Sequence, residues 1–407
     1  MDRDSRQRLS VRRWIDSGGK GIIEACTGYG KTYVSIMIIQ ALYKRNNKLQ
    51  VLISVPTEVL KEQWQRELAK HQLFQVCKVE IINTIVKNTY NVDLLVIDEC
   101  HLIPSPVNIE IFQTVRYKYI IGLTATLERL DGKHELLTPY MKVCDTITLK
   151  EALKNNWVSD YRNYKVLIKV DLTKYNEYNQ KFQHFFAFFN HDFKLMMELL
   201  QSTKKLKIWA KKQGKEEGIV RGCLSQAMKY LKLRKAFVLS HEKKFSIANK
   251  ILDYRTDKKC ILFSNTIKDA EQFKDRAYIL HSKRKPKENK AIIELFNSID
   301  SGVLSTSKSA DAGVDLKGLS VGIILSGDSS TTRVVQRTGR CIRREENKIA
   351  EMFSLVIMGT NDELWFNNAN KNQPYITINE DQLDLILQGK EISTRPKRGI
   401  VDIENRY

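Results

Sequence analysis

The stretch ACTGYGKT, residues 25–32, sets Lys31 and Thr32 behind two glycines, Gly28 and Gly30. It follows an apolar run, GIIEA, and opens a segment whose apolar residues recur at helical spacing. A glycine-bearing loop between a buried strand and a helix start gathers backbone N–H groups and the helix dipole at one point, and both favour a bound phosphate. There Lys31 would neutralise the β and γ phosphates of a nucleotide, and the Thr32 hydroxyl would ligate magnesium. Farther along, LLVIDECH ends four apolar residues in Asp98 and Glu99. Such a run delivers two carboxylates to the C-terminal edge of a buried strand, where open α/β sheets bind ligands. Asp98 would hold the magnesium and Glu99 would accept the proton of an attacking water. A small-residue turn and a plain strand-to-loop step are the bland readings. Both features in one chain argue against them.

The elements that would carry these residues alternate. GIIEA (21–25), VLISV (51–55), DLLVID (93–98) and YIIGLT (119–124) read as fully buried strands, with helical periodicity between the first two. CILFS (260–264), YILHS (278–282), GVLST (302–306) and VGIIL (321–325) repeat the grammar later in the chain. Buried strands alternating with helices predict parallel sheets covered on both faces. The expected fold class is α/β: two domains with parallel central sheets and a mostly helical basic insert between them. We place the first domain at 1–150, an extended linker and helical insert at 151–245, the second domain at 246–360 and a C-terminal tail at 361–407.

Composition points to a polyanion. The 407 residues carry a formal net charge of +20, with 42% hydrophobic residues to build cores. An excess of that size implies a nucleic-acid partner, with an anionic membrane surface as the lesser alternative. From Ser202 to Lys250 there are fourteen Lys or Arg against three Glu, a net of +11. Lys204, Lys207, Lys211 and Lys215 fall at three- and four-residue spacing, which predicts a stripe along one helical face; a solvated surface is the plain alternative. Seven scattered cysteines without a C-x-x-C pair suggest neither a disulfide framework nor a zinc site. The N-terminus is charged and no apolar run reaches the ~20 residues of a membrane helix, so a soluble, cytoplasmic protein is expected. In FQHFFAFFNHDF (182–193) the Phe spacing favours a buried helical face over base stacking, and His184 with His191 lack further metal ligands nearby.

The first motif, with Ala in its opening position, resembles that of the superfamily 2 helicases and translocases, A-x-T-G-x-G-K-T, residue for residue. DECH and GLTATLERLDG (122–132) resemble most the DNA-directed group that includes phage UvsW, the XPB repair helicase and restriction-enzyme motor subunits. The resemblance spans most of 1–150 and 250–345. It implies two RecA-like domains, ATP with magnesium, and nucleic acid as partner. It implies nucleotide contacts at Thr27, Gly28, Tyr29, Gly30, Lys31 and Thr32, and an adenine-side role for Gln7, although Asp4 stands where the family has Arg. Pro56 and Thr57 would touch the nucleic-acid backbone, as would Thr306. His101, Thr124 and Thr126 would couple nucleotide state to domain movement. Gly313 and Asp315 would face the nucleotide cleft. In QRTGRCIRR, Gln336 would sit near the γ-phosphate and Arg340 and Arg343 would act as arginine fingers.

The expected function is an ATP-dependent DNA helicase or translocase on branched or duplex DNA, in recombination, replication-fork or repair work, in a phage or bacterial setting. An RNA helicase and a duplex translocase that never parts strands remain open. So does a nucleotide-gated binding module without turnover.

Overall fold

The computed structural model describes residues 1–128, 131–307, 316–327, 339, 349–371 and 374–392. Two all-parallel sheets organise it. The first has six strands in the order β3-β2-β4-β5-β1-β6, formed by β1 (Lys20–Ala25), β2 (Val51–Val55), β3 (Cys77–Ile81), β4 (Tyr90–Asp98), β5 (Val115–Thr124) and β6 (Val143–Ile147). Its helices are α1 (Arg3–Asp16), α2 (Lys31–Arg45), α3 (Glu58–Lys70), the short α4 (Ile82–Ile85) and α5 (Ile111–Thr114), and α6 (Leu149–Lys154). Every residue of β2 is buried, as is Leu94–Ile97 of β4. That is what a sheet covered by helices on both faces requires.

The second sheet has seven strands in the order β13-β7-β12-β11-β8-β10-β9. They are β7 (Asp160–Ile168), β8 (Lys259–Ser264), β9 (Tyr278–Leu280), β10 (Gly302–Ser307), β11 (Leu319–Ile324), β12 (Ile349–Ile357) and β13 (Ile376–Ile378). Between β7 and β8 the chain forms α7 (Thr173–Ala187), α8 (Phe193–Gln201), α9 (Thr203–Lys212), α10 (Glu217–Leu239) and α11 (Glu242–Asp253). Then come α12 (Ile267–Glu271) and α13 (Pro286–Ser298). The helices α7 to α10 share a core of their own that includes Phe182, Phe189, Met196, Leu206 and Leu224. The Phe-rich segment is therefore a buried helical face, as its spacing indicates.

Two boundaries differ from expectation. The segment assigned to an extended linker supplies β7, paired with β12 over nine residues from Asp160↔Ile349 to Ile168↔Ile357, and with β13 on its other side. Its polar interruptions disguised it: Lys165 is buried against Glu363 and Asn367, and Asn163 donates to the Pro374 carbonyl. The supposed tail from 361 likewise holds the helix Asn361–Ala369, β13 and the helix Glu380–Leu387, whose Leu383 and Leu387 lie in the second core. The second sheet thus spans both sides of the helical insert in sequence. Among the described residues, no helix is long and apolar enough to cross a membrane.

Candidate nucleotide and coupling site

In the first sheet β4, β5 and β1 are neighbours and run parallel, with Asp98 beside Leu123 and Glu24 beside Thr124. Whatever follows each strand therefore emerges at one edge. The loop after β1, the carboxylates after β4 and the threonines after β5 are brought together by topology alone.

The loop is gripped from beneath by α1. Arg3 donates to the carbonyls of Gly28 (2.8 Å) and Tyr29 (2.9 Å), and the buried Gln7 amide donates to the Tyr29 carbonyl at 2.9 Å. Gly30 caps α2 at φ +98, and a Cβ there would meet the Gln7 amide nitrogen at 2.6 Å. Only glycine fits both that backbone conformation and that space. The helix is itself locked down by Arg6, 5% exposed, which bonds Asp145 through two nitrogens at 2.7 and 3.0 Å and Glu151 at 2.8 Å. Burial would raise the Asp145 carboxyl, but the hydrogen bonds from Arg6, Ser10 and Arg13 outweigh it and hold the group below its ordinary value. Removing one partner from a buried ion pair costs about 3–5 kcal/mol, because the other charge is stranded.

Tyr29 corrects an expectation. Its side chain is fully buried, tilted against Trp157 at 5.7 Å with its hydroxyl 3.2 Å from Ser10. A large aromatic ring gains more from that core than from a solvent-facing cleft. Its side chain is an anchor for the loop, and Gln7 spends its amide on the same task. Lys31 folds back onto the Ala25 carbonyl at 2.9 Å, and Thr32 follows it in the first turn of α2.

At the end of β4 the two carboxylates diverge. Asp98 accepts from the Trp64 indole N–H at 2.8 Å and from the Glu99 backbone N–H at 3.0 Å. Burial, reinforced by the charge of Glu99, pushes Asp98 up from its ordinary 3.8 to about 6. Glu99 adopts φ +52, a left-handed conformation uncommon outside glycine. Its Oε2 lies 3.2 Å from His101 Nδ1, which is also 3.1 Å from Thr124 Oγ1. Thr124 Oγ1 donates to the Thr126 carbonyl at 2.9 Å and accepts from the Thr126 N–H at 3.2 Å. The three residues expected to act in coupling thus form one hydrogen-bonded run, His101–Thr124–Thr126, and the Glu99 carboxylate lies 3.2 Å from its first member.

A cavity of about 250 Å³ opens beside this pair, lined in part by Pro56, Asn83, Asp98, Glu99 and Asn108. Thr57 caps α3 by accepting from the Leu60 N–H. Two carboxylates, one destabilised as an anion by burial, suit a hard cation. Magnesium is commonly bound through one or two carboxylates together with substrate phosphates. Among the described residues, no group of three His, Cys, Asp or Glu side chains gathers as a metal site of another kind.

Gly339, which lies between β11 and β12 in sequence, approaches this edge so closely that a Cβ there would overlap the Thr27 side chain. Lys290 of α13 pairs with Glu62 of α3 at 3.1 Å. Gln336, Arg340, Arg343, Gly313 and Asp315 lie outside the described residues. Thr306 departs from expectation: it sits inside β10 at 1% exposure, its Oγ1 without a hydrogen-bond partner, rather than on an open surface. The basic stripe is shorter than its spacing implied. Lys204, Lys207 and Lys211 are exposed on α9, but the helix stops at Lys212 and Lys215 folds over the Phe188 ring, 3.7 Å from its centroid.

Trp64, Arg3 and Glu24, whose Oε1 accepts from the Leu127 N–H at 2.8 Å, were not singled out by the sequence. For Glu24 the signal was present: a carboxylate inside an apolar strand.

Comparison with known proteins agrees with this arrangement. Residues 2–93 match the family described as type III restriction enzyme, res subunit, and residues 243–345 match the helicase conserved C-terminal domain. The chain is 26% identical over 380 residues to the DNA 3'-5' translocase XPB2 of Sulfurisphaera tokodaii, covering 88% of this chain and 82% of that one. Its fold is similar to that of the ATP-dependent Type ISP restriction-modification enzyme LlaBIII bound to DNA, with TM-score 0.59 and 13% identity over 98% of this chain and 31% of that one. It is also similar to S. cerevisiae Dbp5 bound to RNA and ADP BeF3, with TM-score 0.60 and 13% identity over 94% and 91% of the two chains.

A carboxyl whose pKa rises on folding costs stability, and the cost is absent below its unfolded pKa and complete above its folded one. Asp98→Asn keeps an acceptor for Trp64 and removes the charge. Metal-free and nucleotide-free, it should melt higher than wild type at pH 8, by on the order of 2–3 kcal/mol, with the gain fading as pH falls from 6 towards 4. Equal melting at pH 8 would remove the electrostatic cost assigned to Asp98.

Proposed function

Because the chain is a superfamily 2 helicase or translocase, an ATP-hydrolysing motor on nucleic acid, we propose that it uses ATP to move along branched or duplex DNA. The work fits recombination, replication-fork or repair processing. The observation that carries this reading is the hydrogen-bonded run His101–Thr124–Thr126, which begins 3.2 Å from the Glu99 carboxylate and ends in the loop after β5. The similarity to a DNA translocase over most of both chains supports DNA as the track.

In this reading Lys31 leaves the Ala25 carbonyl to meet the β and γ phosphates. Thr32 and Asp98 would hold magnesium, which would supply neutralisation of phosphate charge. Glu99 takes the proton of the attacking water, and the change of charge beside His101 is passed to Thr124 and Thr126. Gln336, Arg340 and Arg343 are assigned to the γ-phosphate, Gly313 and Asp315 to the cleft, and Pro56 and Thr57 to the strand. A guanidinium finger is worth about 10³–10⁵ in rate where it acts. Fingers carried by the second domain would make hydrolysis depend on closure of the two domains, and closure would step the strand.

Steady-state ATP hydrolysis, with Lys31→Ala as the blank, tests this across single-stranded DNA, duplex, fork, four-way junction and single-stranded RNA at one salt concentration. DNA should stimulate wild type, forks and junctions most, and Lys31→Ala should bind DNA without turnover. Stimulation by RNA alone would make the chain an RNA helicase. A second expectation concerns α9. Replacing Lys204, Lys207 and Lys211 with Ala should weaken DNA binding and make its salt dependence shallower by roughly 1–3 in log–log slope. An unchanged slope would return these lysines to solvated surface.

A further inference from the structure

We propose that Trp64 is a positioning residue for the magnesium carboxylate, orienting Asp98 through the indole N–H and tying it to the helix that faces the nucleic acid. The inference rests on the reading of Asp98 as a magnesium ligand. Trp64 is 1% exposed and belongs to the first core, so its ring cannot swing. The indole is a donor only, and its one N–H ends 2.8 Å from Asp98 Oδ2. The other oxygen, Oδ1, is held by the Glu99 N–H at 3.0 Å. With a donor fixed on each oxygen, the plane of the carboxylate is set before any metal arrives. A core position alone would be filled as well by phenylalanine; the N–H is what the carboxylate uses.

The helix that carries Trp64 has two other attachments. Its first residue follows Pro56 and Thr57 at the end of β2, and its Glu62 pairs with Lys290 of α13 at 3.1 Å. A shift of α3, whether from a strand at its N-terminus or from movement of the second sheet, must therefore carry the Trp64 N–H with it. The nearest oxygen to feel that shift is Oδ2 of Asp98. Partners behind a metal ligand typically change metal affinity by about 10–100-fold when removed.

The test is a magnesium titration at a fixed concentration of a fluorescent ATP analogue, in wild type, Trp64→Phe and Asp98→Asn, with analogue binding in EDTA measured alongside. Trp64→Phe should need about 10–100-fold more magnesium for half-maximal enhancement, while its affinity in EDTA and for duplex DNA stays at the wild-type level. A purely structural tryptophan would alter stability and the EDTA affinity but not the magnesium midpoint. If Asp98→Asn weakens the magnesium response and Trp64→Phe titrates like wild type, Trp64 only fills space and the inference falls while the site assignment stands. If Asp98→Asn also titrates like wild type, the assignment of Asp98 falls and takes the inference with it. Should Trp64→Phe fail to fold, benzothienylalanine at position 64 replaces the N–H with sulfur at nearly constant shape. The same outcomes then decide.

Discussion

Two adjacent carboxylates at the end of a buried strand cannot both sit in the same surroundings as anions without help. That constraint shapes the catalytic edge of the first sheet. Asp98 stays in the strand register, takes the Trp64 and Glu99 N–H groups, and remains pushed up by burial and by its neighbour. Glu99 turns away through a left-handed backbone conformation and reaches His101. Separate partners give the two groups separate surroundings, which is what the proposed division between a cation ligand and a proton acceptor requires. An unmet need for positive charge is kept at a place where magnesium would supply it, which is how active sites commonly trade stability for function.

The loop that would bring those phosphates is held independently. Its backbone carbonyls are pinned by Arg3 and Gln7, its Tyr29 ring is sunk beside Trp157, and α1 is bolted to β6 and α6 through Arg6, Asp145 and Glu151. These contacts occupy the underside of the loop, so the helix N-terminus of α2 is free to face a ligand. Preorganisation of this kind means little has to be rearranged when charge arrives. In the proposed reading the Lys31 ammonium, resting on the Ala25 carbonyl, is the part that would move.

Much of this was legible in the residues. Fully apolar strands with glycine loops between them indicated two parallel sheets, and the loop, the DECH stretch and the threonines after β5 were placed by spacing and resemblance. β7 was missed because its buried polar residues, Asn163 and Lys165, find partners more than 190 residues away in the chain, beyond any local pattern. Lys215 was misplaced because helical spacing continues through a sequence that the backbone leaves at Lys212. Trp64 and Arg3 could not be found at all. A tryptophan on an amphipathic helix and an arginine near a terminus carry no mark of the carboxylate or carbonyl they will meet.

The central claim is that turnover at this edge is spent on movement along DNA. Displacement of a third strand from a duplex, with the triplex placed at increasing distances from the entry end, measures that movement without requiring strand separation. With ATP and magnesium the wild-type chain should strip the third strand after a lag that lengthens with distance, and Lys31→Ala should leave it in place. DNA-stimulated ATP hydrolysis without displacement at any distance would contradict the account, leaving a nucleotide-gated clamp in place of a motor.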